Sequence, residues 1–308
     1  MKLSKNILDH YREFSTFTNP GCYRDLLKSL PNDISELGNL VCHQIIHSLT
    51  LKQGNTGANA DKRYGDMDKF PWWRLRCEDD VLMTTAAMVA ELLRLDSRGF
   101  VRDRAVENKI VVTCRYIAVL MASILKSKGI PCRVRSGFNS YSFPDKSADH
   151  WINQYWSTEE SRWINFDADG FFDNLGFDQF DIPKEKFDWA ADSWLNIREG
   201  KEDADRFVFA DGDRGLRVVI RAIFYDYHCL MNNEISYLFQ PSYVIFYQGE
   251  DKFGKLTEKD FREIDDLARL MLDPDENFEK LQKVWQEKRK FRLLNAPLII
   301  DSNHLDLS

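Results

Sequence analysis

Residues 114–125 are an almost unbroken apolar run, too long for an ordinary strand, that stops at Lys126-Ser127-Lys128-Gly129-Ile130-Pro131. Within it Ile117, Leu120, Met121, Ile124 and Leu125 recur at i, i+3, i+4 and i+7, which predicts a helix with one buried face. Gly129 ends that helix and Pro131 prevents its resumption. The period then changes. Cys132 to Phe138 reads as a strand, Asn139 to Asp149, with Pro144, as a surface loop, and His150 to Trp156 as a second strand. Ser157 to Arg162 makes a polar turn, and Trp163 to Asp167 returns as a third strand. A buried helix followed by a short antiparallel meander restricts the chain to an α+β arrangement, with a central helix packed on a small antiparallel sheet.

The first residue of the helix is Cys114. Unpaired backbone N–H groups and the positive end of the macrodipole stabilise a thiolate at that position, and the thiolate is the nucleophilic form of cysteine. In the hairpin that follows, His150 starts one strand and Asp167 ends the next, so the two lie close across the ladder. A carboxylate that holds an imidazole near a thiol is the geometry of nucleophilic catalysis: Cys114 as nucleophile, His150 as general base and acid, and Asp167 as the orienting carboxylate. Asp149 and Asp169 compete for the orienting role. Strand alternation points Asp149 to the face opposite His150, and Asp169 falls in the turn, so Asp167 is preferred.

These segments resemble the transglutaminase-like superfamily of papain-type folds: Thr113-Cys114-Arg115 leading an apolar helix that ends in Gly129-Ile130-Pro131, then Asp149-His150-Trp151, then Trp163-Ile164-Asn165-Phe166-Asp167. The resemblance spans about residues 101–170 and implies a cysteine-peptidase/transglutaminase-like core. That superfamily includes cross-linking enzymes, proteases, peptide N-glycanases and members without catalysis. Asp149 to Gln154 also resembles the peptide N-glycanase version of the histidine motif, but that family's paired-cysteine zinc element is missing. The chemistry implied is attack of Cys114 on an amide or peptide carbonyl to give a thioester, resolved by water or by an amine. Hydrolysis is the first expectation, because nothing in the sequence marks a second amine site. The competing expectation is a non-catalytic domain that keeps the fold and grips a peptide or glycan.

An acyl-transfer site needs donors for the oxyanion; the backbone N–H of Cys114 is one, and Gln44, Trp72 and Trp73 are side-chain candidates for the other or for the cleft wall. His43 and His47 stand at i and i+4, but without the glutamate of an H-E-x-x-H motif they read as structural. Asp167 to Asn174 is acidic, yet its glycine comes too early for an EF-hand and no glutamate closes it. The six cysteines form no C-x-x-C pair. No metal or cofactor is therefore expected.

At 308 residues with 44% hydrophobic and 13% aromatic content the chain can bury a large core, and its net charge of -7 disfavours nucleic acid as a partner. The expected partner is a peptide, protein or other amide-bearing substrate. Arg74, Arg76, Arg115, Arg133 and Arg135 cluster around the motifs; ion pairing with nearby acids is a stronger reading than a cationic patch. No stretch approaches the length of a membrane span and no signal peptide is visible, so a reducing, cytoplasmic setting is expected.

Around the 101–170 core, residues 1–100 read as a helical N-terminal elaboration and 171–308 as a mainly helical C-terminal one. Helical periodicity is expected over Leu37 to Leu49 and Val81 to Leu95, separated by a mobile loop from Gly54 to Asp68. Further helices are expected over Lys184 to Arg198, Thr257 to Leu272 and Asn277 to Leu294, and Leu216 to Met231 is a strongly apolar segment. Thr257 and Asp260 make a capping-box-like start, with Leu256 and Phe261 as a hydrophobic staple. His228 reads as a core histidine.

Overall fold

The computed structural model describes residues 3–49, 64–141, 145–169, 175–209, 212–241, 256–292 and 294–295. The expected Gly54 to Asp68 loop up to residue 63, the Pro144 turn, and the acidic stretch from Gly170 to Asn174 lie outside the described residues.

The central helix is present as expected. α5 runs Cys114–Ser127 and is buried along its whole length. Before it come α1 (Lys5–Arg12), α2 (Arg24–Ser29), α3 (Ile34–Cys42), β1 (Ile45–His47), α4 (Thr85–Leu95) and β2 (Ile110–Val112). After it come β3 (Cys132–Asn139), β4 (Ser147–Ser157) and β5 (Arg162–Phe166), the meander expected from alternation. β6 (Phe187–Trp189), α6 (Ala190–Arg198), β7 (Phe207–Val208), α7 (Leu216–Leu230), α8 (Glu258–Met271) and α9 (Phe278–Glu287) complete the α+β architecture. The sheet runs β5-β4-β3-β6, antiparallel throughout, and β7 adds to β4 in parallel. Helix α5 packs on β3 and β4, and α7 packs on β3. Burying Ile117, Leu120, Met121, Ile124 and Leu125 of α5 stabilises the fold by roughly 2 kcal/mol per side chain relative to exposure.

Four expected helices are corrected by the structure. The Leu37 to Leu49 periodicity is interrupted: α3 stops at Cys42, the Gln44 side chain returns a hydrogen bond to the Leu40 carbonyl at 2.6 Å, and Ile45-Ile46-His47 becomes a buried strand parallel to β2. Two consecutive β-branched residues favour that choice once a partner strand is available. The Lys184 to Arg198 helix begins only at Ala190, because Phe187-Asp188-Trp189 pairs with β3. The Asn277 to Leu294 helix covers only Phe278–Glu287, followed by a short 3-10 turn. The Val81 to Leu95 helix starts late, at Thr85, where the Thr84 hydroxyl accepts the Ala87 N–H. The surface loop after β3 is also shorter than expected, since β4 already begins at Ser147.

The Thr257–Asp260 capping box forms as expected, and both Leu256 and Phe261 pack against the main core. His228 is fully buried in α7. The arginines pair or bond locally. Arg135 meets Asp226 at 2.7 Å, Arg133 meets Asp275 at 2.6 Å, Arg74 meets Glu78 at 3.0 Å and Arg76 meets Asp80 at 3.1 Å, while Arg115 bonds the carbonyls of Glu234 and Ile235. Four of the five are thus tied into the protein interior or its margin, and only Arg76 is exposed.

Candidate active site

Cys114 is the first residue of α5, and the chain enters the helix through Thr113 in an extended conformation. Thr113 makes no side-chain cap for the helix. Its hydroxyl and its N–H turn instead to the Asp79 carboxylate, at 2.8 and 3.1 Å. The first-turn amides, which lack intrahelical partners, therefore keep their positive end toward the thiol. The next two residues fix the turn: Arg115 bonds the Ile235 carbonyl at 2.9 Å, and the Tyr116 hydroxyl bonds the Asp79 carbonyl at 2.7 Å and Ser236 Oγ at 3.1 Å. The same contacts bring the 234–237 segment over the helix start, where the Tyr237 hydroxyl lies 3.5 Å from Cys114 Sγ and donates to Asp149 Oδ2 at 3.1 Å.

His150 and Asp167 sit where the hairpin predicts. β4 and β5 pair from Ser157–Arg162 up to Asn153–Phe166, so His150 and Asp167 emerge just past the ladder's last pair. His150 Nε2 and Asp167 Oδ2 are 2.6 Å apart, both buried. Asp167 is itself held by the Tyr141 hydroxyl at 3.2 Å and by the Asp169 N–H at 2.9 Å. The same ring also hydrogen-bonds the Cys114 side chain. Burial works against ionising either partner, yet hydrogen bonds from His150 and His47 and the imidazolium charge bring the Cys114 thiol below its ordinary value. Burial likewise lowers the His150 imidazole, but Asp167 and Cys114 outweigh it and hold the ring well above 6.5. Asp167 is pushed up by burial and brought down further by His150, ending below its ordinary value. The combined directions describe a thiolate beside an imidazolium, with the carboxylate behind it.

The competing carboxylates have other duties. Asp149 accepts from Tyr237, and its charge opposes the thiolate. Asp169 approaches His47, Nε2 to Oδ2 at 3.4 Å. Among the described residues, His150, Asp167 and Asp169 bring ligand-type atoms within 4.8 Å of one another. The short His150–Asp167 contact already uses two of those groups as an imidazole–carboxylate pair.

The three side-chain candidates for the oxyanion or cleft fare differently. Gln44 is fully buried, and its amide donates to the carbonyls of Leu40 and Val101 while its oxygen accepts from Arg104 Nε at 2.6 Å. That amide is committed to closing α3 against the 101–104 segment. Trp72 and Trp73 are 78% and 64% exposed, with rings edge to face at 5.8 Å. They stand on a 3-10 turn anchored beside β2 by Arg74, which bonds the Lys109 carbonyl at 2.7 Å. Their exposure suits a cleft wall better than a hydrogen-bond donor buried at the sulfur.

His47, Tyr237, Tyr141 and Asp79 are the site-forming residues that the sequence reading did not assign to the site. The i, i+4 relation of His43 and His47 has no structural meaning, because the helix ends before His43. His43 is largely exposed, with Nδ1 against the Asn39 carbonyl, whereas His47 is buried beside the thiol.

The α+β frame thus sets a thiol at the head of its central helix and an imidazole–carboxylate pair at the hairpin end. Residues 102–168 match the model of the transglutaminase-like superfamily, which covers α5 and the whole meander. No curated protein is significantly similar to the chain. Among solved structures, a candidate cysteine protease from Cytophaga hutchinsonii is similar at 12% identity with a TM-score of 0.34. That similarity covers 62% of this chain and 50% of the other, so the chain matches about half of its relative's length. Among the described residues, no helix is long and apolar enough to cross a membrane.

Proposed function

We propose that the protein is a thiol-dependent amide or peptide hydrolase, or an acyltransferase of the same mechanism, with Cys114, His150 and Asp167 as its catalytic triad. The observation that carries this reading is the continuous contact from Asp167 through His150 to the thiol at the helix start. In the mechanism, the Cys114 thiolate attacks the carbonyl carbon of an amide, a C–S bond forms, and the π pair moves to the carbonyl oxygen. As the C–N bond breaks, the His150 imidazolium gives its proton to the departing nitrogen, leaving a thioester and a free amine. His150, now neutral, takes a proton from water or from an acceptor amine, which attacks the thioester and releases Cys114 as thiolate. Asp167 keeps its charge throughout and fixes the ring orientation.

Water as the acceptor gives a hydrolase and an amine gives transfer. Hydrolysis is the preferred outcome on the sequence alone, in which nothing marks a second amine site. Trp72 and Trp73 are exposed apolar surface that a substrate could cover. A second reading, a peptide- or glycan-binding domain that keeps the fold, draws on one observation: Cys114 is only 5% exposed, with the Tyr237 hydroxyl against its sulfur.

A panel of peptides, carboxamides and glycopeptides, with and without a primary amine, incubated with the wild type and Cys114→Ala separates these readings. Cleavage or amine incorporation that disappears in Cys114→Ala, with a Cys114 thioester trapped by mass spectrometry, is expected. Turnover that persists in Cys114→Ala would sink the proposal.

A further inference from the structure

The sulfur of Cys114 lies between two imidazole–carboxylate arrangements, and only one of them has been used above. His47 ends β1, and the parallel register sets it opposite Val112, two residues ahead of Cys114. The ring is 4% exposed. Its Nδ1 accepts the Leu49 N–H at 3.2 Å, so in the neutral ring the proton resides on Nε2. Nε2 stands 3.4 Å from Asp169 Oδ2, long for a hydrogen bond, and the ring also hydrogen-bonds the Cys114 side chain. The two histidines therefore differ in kind. His150 has one nitrogen on a carboxylate and the other on the thiol, which lets it exchange a proton. The Nδ1 lone pair of His47 is taken by a backbone amide, which leaves the ring a donor toward the sulfur and unsuited as a base.

We infer that His47 is a catalytic residue whose Nε2–H, together with the backbone N–H of Cys114, binds the oxyanion of the tetrahedral intermediate. In that adduct the charged oxygen is bonded to the carbon that the sulfur holds. A donor that hydrogen-bonds the sulfur is therefore a neighbour of that oxygen. Asp169 beside Nε2 polarises the N–H, and the Asp169 backbone N–H on Asp167 Oδ1 links this donor to the triad carboxylate. The role left open when the Gln44 amide is committed to Leu40 and Val101 is thereby filled from the adjacent strand.

The inference rests on Cys114 being the nucleophile, and its test separates the two claims. The full-length protein is treated with p-nitrophenyl acetate, which acylates a thiolate through an oxyanion, and with iodoacetamide, which alkylates it without one. Both rates are taken at the plateau of each variant's pH profile, so that a change in thiolate fraction cancels. In His47→Phe, acylation is expected to fall roughly 10²-fold while alkylation stays within a few-fold, and His47→Gln, which keeps an N–H near the Nε2 position, is expected to recover much of the loss. Parallel loss of both rates in either variant, or no loss of acylation in His47→Phe, overturns the assignment of His47 alone. A wild type inert to both reagents at Cys114 overturns the nucleophile and the oxyanion donor together.

Discussion

His150 Nε2 and Asp167 Oδ2 meet at 2.6 Å just beyond the last paired residues of β4 and β5, so the hairpin register sets the distance between base and carboxylate. That pairing leaves the second ring nitrogen for Cys114 and makes the imidazole's charge depend on Asp167.

Asp167→Asn keeps the shape of the contact and removes its charge. The directions are opposed in the two partners: the thiol lies below and the imidazole well above its ordinary value. Acyl transfer should therefore rise with pH as the thiolate forms and fall as the imidazolium loses its proton. In Asp167→Asn both limbs move inward, the imidazolium titrating lower and the thiol higher, and the maximal rate falls roughly 10³-fold or more. A pH–rate profile checks this; an unchanged profile would separate Asp167 from the chemistry.

Gly137 pairs with His150 on one side and Trp189 on the other. A Cβ at this position would lie 2.6 Å from the Asp188 backbone oxygen and 2.6 Å from the Phe187 ring. The backbone oxygen cannot swing aside as a side chain can, so Gly137→Ala must push β6 from β3, the strand against which His150 of β4 is paired. A loss of about 1–3 kcal/mol is expected by denaturant unfolding, together with slower alkylation of Cys114.

His228 predicts a loss of stability in acid. Asn233 Nδ2 donates to its Nδ1 at 2.9 Å, so Nε2–H faces the Phe291 carbonyl, a network that fits only the neutral ring. Burial lowers the group from 6.5 to about 4. The unfolded chain thus binds a proton that the folded one refuses between those values, and stability falls as pH drops from 6.5 toward 4, by about 3 kcal/mol at most. Thermal melts of the wild type and His228→Gln over that range test it. The variant should be less stable at pH 7 and should lose less on acidification.

The parts of this molecule that were legible in sequence are those whose signal is local. The i, i+3, i+4 rows of α5, the alternation of β3 to β5 and the Thr257–Asp260 box each specify their own conformation, and the proposed triad residues ride on the first two. β1 and β6 were not legible. Each is three residues long and becomes a strand only through a partner distant in sequence, Ile110–Val112 for one and Gly137–Asn139 for the other. Because His47 reaches the thiol through that same distant pairing, its place in the site was hidden with the strand, and a helical spacing to His43 stood in its stead. The surroundings of Gln44 were hidden for a related reason: its amide closes the helix end that the sequence placed several residues later.

The most direct measurement is the rate of Cys114 alkylation by iodoacetamide against pH, for the wild type and His150→Ala. The wild-type midpoint should lie below the ordinary thiol value of 9.0, because hydrogen bonds and the imidazolium outweigh burial. In His150→Ala burial is less opposed, and the midpoint should move up to that value or beyond. A wild-type midpoint at or above 9.0 that His150→Ala leaves unchanged would contradict a thiolate–imidazolium pair at this site.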